Sequence, residues 1–116
     1  MLKGTESAPR NEGKTIRVTP MTSFWDRLRG LLGKPELLPN EGAWIRPCRQ
    51  VHTLGMRLSL DILHLDENLR ILHIETLKPW RVGRYLWGAT SIVELRSGEI
   101  QRLGLEVGMT VNLLVE

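Results

Sequence analysis

Two runs of branched apolar residues, Leu60-Asp61-Ile62-Leu63-His64-Leu65 and Leu69 to Leu77, flank the triplet Asp66-Glu67-Asn68. Asp opens a tight turn and Asn tolerates unusual backbone angles, so the triplet is turn chemistry. The spacing predicts a β-hairpin, and this unit constrains the rest of the chain most. The other apolar runs after Pro39 read the same way. Ala43 to Arg46 is a short strand before Pro47, Gln50 to Leu54 is a further candidate, Ser91 to Arg96 is a strand, and Met109 to Val115 is the last. Glu99 to Leu103 reads as a helical turn stopped by Gly104, and Gly108 turns the chain into the final strand. Ahead of these, Thr15 to Thr19 alternates polar and apolar residues as a first strand that Pro20 closes. Short strands with turn signals at near-regular spacing predict a mainly β fold: a mostly antiparallel β-sandwich or partly closed small barrel.

One N-terminal α-helix is expected on that sheet. Ser23 is a good N-cap, and Asp26 faces the free N–H groups of the first turn. Phe24, Leu28, Leu31 and Leu32 recur at helical spacing, Gly33 can end the helix, and Pro35 prevents its resumption. Gly30 weakens the middle, so the helix depends on docking its Leu face on a sheet. Residues 1–14 are rich in Gly, Ser, Asn, Pro and charges and read as a flexible tail, leaving residues 15–116 as one domain.

A chain of 116 residues suits a single domain. No apolar run approaches the roughly 18 residues of a membrane helix, and no signal-peptide core of about 7–15 apolar residues opens the chain. A cytoplasmic protein is the expectation. The formal charge of +3 is mild and does not call for nucleic acid or an anionic membrane. The single Cys48 cannot form an internal disulfide and fits a reducing compartment.

The run from Arg46-Pro47-Cys48 through Val51-His52-Thr53, Met56-Arg57 and Leu60-Asp61 to Leu65-Asp66 resembles the bacterial and archaeal family known as domain of unknown function 192, DUF192. Arg27, Gly30, Leu31 and Leu32 are similar to the family's Arg-x-x-Gly-Leu segment. Lys78-Pro79-Trp80-Arg81 is similar to its Pro-Trp-Arg stretch. Glu94-Leu95 with Gly98, then Gly104-Leu105 and Gly108, resemble its closing blocks. The resemblance runs from about Ile16 to Val115. It implies a compact, mainly β fold with one helix, and it implies no reaction. Three positions depart from the pattern. Ser59 stands for Pro, Met109 stands for Asp, and Leu69 stands where Gly often follows the turn. A Leu at positive φ is strained, so a different turn is expected there.

Several residues could carry chemistry. Cys48, His52 and Met56 are spaced by four, and on a strand they would share one face. A soft thiolate, an imidazole and a thioether suit copper, but such a site needs a second His, so His64 or His73 would have to converge on it. Cys48 and His52 could instead be a nucleophile and its base, with Arg46 and Arg49 lowering the thiol pKa. Asp61 interrupts an apolar strand, so it lies either on a solvated face or buried with a partner. The family resemblance implies the buried pairing, with Arg57, Arg81 or His52 as candidate partners. Glu94 allows the same two readings. Lys78-Pro79-Trp80-Arg81 and Arg84-Tyr85-Leu86-Trp87 interleave aromatic and basic residues, which can stack on bases or sugars and clamp phosphates, but the favoured reading is a loop folded back with both Trp rings capping the core.

The combined expectation is a non-enzymatic binding or accessory domain without a metal or cofactor. Its site is a pocket between the Cys48–Asp61 segment and the Lys78–Trp87 loop. There Arg57 and Arg81 supply positive charge, Asp61 orients them and Trp80 gives a flat wall for a small anionic or sugar-like ligand. The alternatives are an enzyme using Cys48 and His52, and a copper or zinc protein.

Overall fold

The computed structural model describes residues 14–21 and 41–115. The helix expected from Ser23 to Gly33, and the tail apart from Lys14, lie outside them. The elements are β1 (Thr15–Met21), β2 (Glu41–Ile45), β3 (Leu60–Leu65), β4 (Ile71–Leu77), β5 (Ser91–Arg96), α1 (Glu99–Leu103) and β6 (Asn112–Val115).

The hairpin forms as its sequence requires. β3 and β4 pair antiparallel from Leu60 opposite Leu77 to Leu65 opposite Ile71. Asp66 builds the turn: its Oδ1 accepts the N–H groups of Asn68 at 2.8 Å and Arg70 at 3.0 Å. Leu69 takes φ 65°, so the turn keeps the shape that favours Gly and the Leu accepts it. The register slips once, between His64 and Leu65. His64 lies opposite His73 and Leu65 opposite Ile71, so Leu72 is the extra residue of a β-bulge.

The strands form one mixed sheet of six in the order β4-β3-β5-β2-β1-β6. The described residues form neither the sandwich nor the barrel. β1 is parallel to both β2 and β6, whereas β2–β5, β3–β5 and β3–β4 are antiparallel. The sheet is not closed. A bridge between Arg70 and Thr110 clasps the start of β4 to the segment before β6, with Ile71 N–H donating to the Met109 carbonyl at 2.7 Å. No helix among the described residues is long and apolar enough to cross a membrane.

Both faces of the sheet are covered, which is why every residue of β3 is buried. On one face Ile16, Val18, Trp44, Leu63, Leu65, Val93 and Leu95 pack with Leu105 and Val111, and with Ile100 and Leu103 of α1. On the other, Ile45, Leu60, Ile62, Leu77 and Ile92 pack with Val51, Cys48 and Met56 from the loop before β3. Among the described residues the helix is α1, near the C-terminal end and bounded by Gly98 at φ 99° and Gly104 at φ 68°. It matches the helical turn expected there.

Candidate functional site

Two loops build the cover over the second face, and they bind each other through their backbones. Residues 46–59 lead into β3, and residues 78–90 join β4 to β5. Thr53 N–H donates to the Arg81 carbonyl at 2.8 Å, Gly83 N–H to Val51 at 2.8 Å, and Leu86 N–H to Arg49 at 3.1 Å. Gln50 to Leu54 is therefore not a sheet strand. His52 forms one bridge to Val82, because this segment spends its hydrogen bonds on the second loop. Thr53, fully buried, ties the loops further: its hydroxyl donates to the Lys78 carbonyl at 2.6 Å and accepts the Arg81 N–H at 2.9 Å.

The double loop leaves aromatic side chains in solvent, so the Trp80 and Trp87 rings do not cap the core. Trp80 is 64% exposed and Trp87 80%. Tyr85 meets Trp87 edge-on at 5.2 Å. Trp80 is held at φ 64°, a strained angle for a large side chain. Its N–H is fixed to the Thr53 carbonyl at 3.0 Å. A depression of about 370 Å³ opens where the two loops meet, lined by Pro47, Cys48, Arg49, Tyr85, Ala89 and Thr90. Arg49 is anchored at its rim by its Nε, which donates to the Trp87 carbonyl at 3.1 Å. A second depression of similar size surrounds Trp44, Arg46, Asp66 and Glu67. There the Arg46 guanidinium stacks 4.0 Å from the centre of the Trp44 ring.

The expected site residues separate. Arg57 and Arg81 are exposed on the double loop, as Trp80 is. Asp61 is buried and turned to the opposite face. Its Oδ1 accepts the Thr76 hydroxyl at 2.8 Å, and its Oδ2 accepts the N–H groups of Gly98 at 2.9 Å and Ile100 at 3.0 Å. These donors, rather than Arg57, Arg81 or His52, satisfy it. Asp61 anchors α1 to the sheet. Cys48 is half-buried, and its thiol donates to the Gln50 carbonyl at 3.2 Å. His52 Nδ1 accepts the Leu54 N–H at 3.1 Å.

A second constellation lies on the same face of the β3–β4 ladder. His64 and His73 are directly paired across the strands, and Glu75 lies two residues beyond His73. Nitrogen and oxygen atoms of the three lie within 4.8 Å of one another. His64 is fully buried, and its Nε2 meets Glu75 Oε2 at 2.7 Å. Burial pushes the His64 pKa below its usual 6.5, against the opposing hydrogen bond and charge of Glu75. Arg84 N–H donates to both Glu75 oxygens, at 3.3 and 3.0 Å. Gly83 makes this approach feasible: a Cβ there would lie 3.0 Å from Glu75 Oε2 and 3.1 Å from the Val51 carbonyl.

Comparison with known proteins settles the lineage. The DUF192 family model, described as uncharacterized ACR, matches residues 6–113. The chain belongs to the DUF192 family. A UPF0127 protein of Thermococcus sibiricus is 30% identical over 116 residues, covering 92% of this chain and 73% of that one. A UPF0127 protein of Pyrococcus furiosus is 35% identical over 105 residues, covering 84% and 88%. A solved protein of unknown function from Novosphingobium aromaticivorans superposes with TM-score 0.68 at 20% identity, over 80% of this chain and 71% of that one. That similarity extends to the fold.

The His64, His73 and Glu75 cluster of this DUF192 member was the part hardest to see in its sequence. The three residues alternate with apolar ones on two separate strands. The turn at Asp66–Asn68 is legible, but only the one-residue bulge between His64 and Leu65 brings His73, and with it Glu75, onto the face of His64.

Proposed function

We propose that the protein is a non-enzymatic binding domain for a small anion that carries a ring, sugar or aromatic. One observation carries this reading. Arg46, Arg49, Arg57, Lys78, Arg81 and Arg84 lie in loops 46–59 and 78–90, and no Asp or Glu does. A chain of mild overall charge thus concentrates positive charge on one cover, where it attracts anions. Trp80, Tyr85 and Trp87 on the same loops supply flat apolar area. The depression at Cys48, Arg49 and Tyr85 has a volume in the range of small-molecule sites. It is preferred over the depression at Trp44 because that one mixes Arg46 with Asp66 and Glu67 and does not select an anion. Arg57, Trp80 and Arg81 extend the basic and aromatic surface, and Asp61 acts from behind by holding the sheet and α1 together.

The test is a titration of the full chain with nucleoside monophosphates, sugar phosphates and aromatic carboxylates. Tryptophan fluorescence and melting temperature are the readouts. A saturable change in both is expected, weakened at least ~10-fold by Arg49→Ala, as losing one charge-assisted contact implies. A flat response in both readouts across the panel would remove the reading. In the same protein, Cys48 is expected to react with iodoacetamide no faster than a simple thiol. Rapid stoichiometric alkylation near neutral pH would point to the Cys48–His52 enzyme instead.

A further inference from the structure

The geometry points to a binding site for a divalent transition-metal ion of the zinc class at His64, His73 and Glu75. The donor set is two imidazoles and one carboxylate, which suits Zn²⁺ and neighbouring ions rather than the all-oxygen ions Ca²⁺ and Mg²⁺. The three come from adjacent strands of one hydrogen-bonded ladder, so the backbone fixes them before any ion arrives. Their candidate ligand atoms already lie within 4.8 Å of one another. An ion at about 2.0–2.2 Å from each requires separations under roughly 4 Å. His73 and Glu75 are half-buried, and closing the set to that separation asks for a shift of less than about an ångström.

The surroundings are those of a ligand set rather than of a closed ion pair. His73 makes no side-chain hydrogen bond among the described residues, and its ring lies 5.2 Å from that of His64. The buried His64 Nδ1 also has no partner among them. With Nε2 facing Glu75, the neutral ring has a second tautomer open to it: the proton moves to Nδ1, and the Nε2 lone pair becomes available to a metal. The number of protons on the ring is unchanged. Burial already keeps that ring neutral, the form a metal needs. The Arg84 N–H holds the Glu75 carboxylate in place from outside, as outer partners of metal ligands do. Three protein ligands leave at least one coordination position for water or another small ligand. The site uses neither Cys48 nor Met56, and so differs from the copper arrangement that the Cys48, His52 and Met56 spacing suggests.

The test uses the full chain, stripped with EDTA, dialysed and titrated with ZnCl₂ by calorimetry and with CoCl₂ by visible absorption. One ion per chain, a rise in melting temperature and cobalt ligand-field bands are expected. His73→Ala and Glu75→Gln should each weaken Zn²⁺ binding at least ~10-fold, and Cys48→Ser should leave it unchanged. In NMR spectra the ring signals of His64 and His73 should shift on adding Zn²⁺, and those of His52 should not. Circular dichroism of the metal-free variants checks that both fold. Binding absent at millimolar zinc, binding untouched by both substitutions, or binding abolished by Cys48→Ser would each overturn the site.

Discussion

Asp61 is a carboxylate inside a strand with no exposed residue, and it survives there because three donors meet it. Two of those donors are backbone N–H groups at the start of α1, which would otherwise be buried without a partner. Asp61→Ala strands them and is expected to cost about 3 kcal/mol in urea denaturation. An effect under about 0.5 kcal/mol would show that α1 holds without it. His64 makes a different prediction. Its folded pKa lies below 6.5, so in acid the unfolded chain takes up the proton first. The stability due to its neutral form is complete above about pH 6.5 and is lost as pH falls below that value. With metal chelated, the urea midpoint should drop between pH 7.5 and 5.5. His64→Phe should flatten that slope, and a slope unchanged by the substitution would assign it to other groups.

At the level of elements, the β3–β4 hairpin shows both what local chemistry dictates and what it leaves open. Asp66 was readable as the turn former, and it accepts two backbone N–H groups as turn residues of its kind do. Leu69 was expected to alter the turn and does not. Its φ of 65° is tolerated because its side chain packs against the core, while Val111 N–H bonds its carbonyl at 3.0 Å. Packing and the clasp together outweigh roughly 1–2 kcal/mol of backbone strain. Thermal melts should separate the two effects. Leu69→Gly and Leu69→Ala both lose the packing, but only Ala keeps the strain, so the Gly variant should be more stable by about 1 kcal/mol. The reverse order would mean that the turn relaxes when the Leu is removed. α1 was legible for a simpler reason: Gly104 stops it, and the structure adds Gly98 at its start, both at positive φ.

For the whole molecule, the order of strands sets where stability resides. β3 and β5 have neighbours on both sides and buried residues on both faces. Among the described residues β6 is a four-residue edge strand paired with β1 alone, with Leu114 and Val115 about half exposed. Native-state hydrogen exchange should therefore find the β3 and β5 amides opening only with global unfolding. Those of β6 should exchange much faster through local fraying. Equal protection across the sheet would show that the Arg70–Thr110 clasp locks the edge into the global unit. The same arrangement explains the functional surface. A single sheet cannot cover its own second face, so the two long loops do, and the arginines and exposed tryptophans are carried on that cover.

The sequence by itself determined the hairpin, β5, α1, the outlines of β1 and β2, and the family. Each rests on local signals: branched runs, turn residues, glycines at element ends, and motifs in a fixed order. It also brought the Cys48–Asp61 and Lys78–Trp87 segments forward as a pair. Only the tertiary structure decided that β1 lies parallel between β2 and β6, because parallel partners are joined by no tight turn. Only it decided that Asp61 faces α1 while His64 faces His73 and Glu75. Alternation assigns neighbours to opposite faces but does not say what covers each face, and a one-residue bulge then sets which side chains meet.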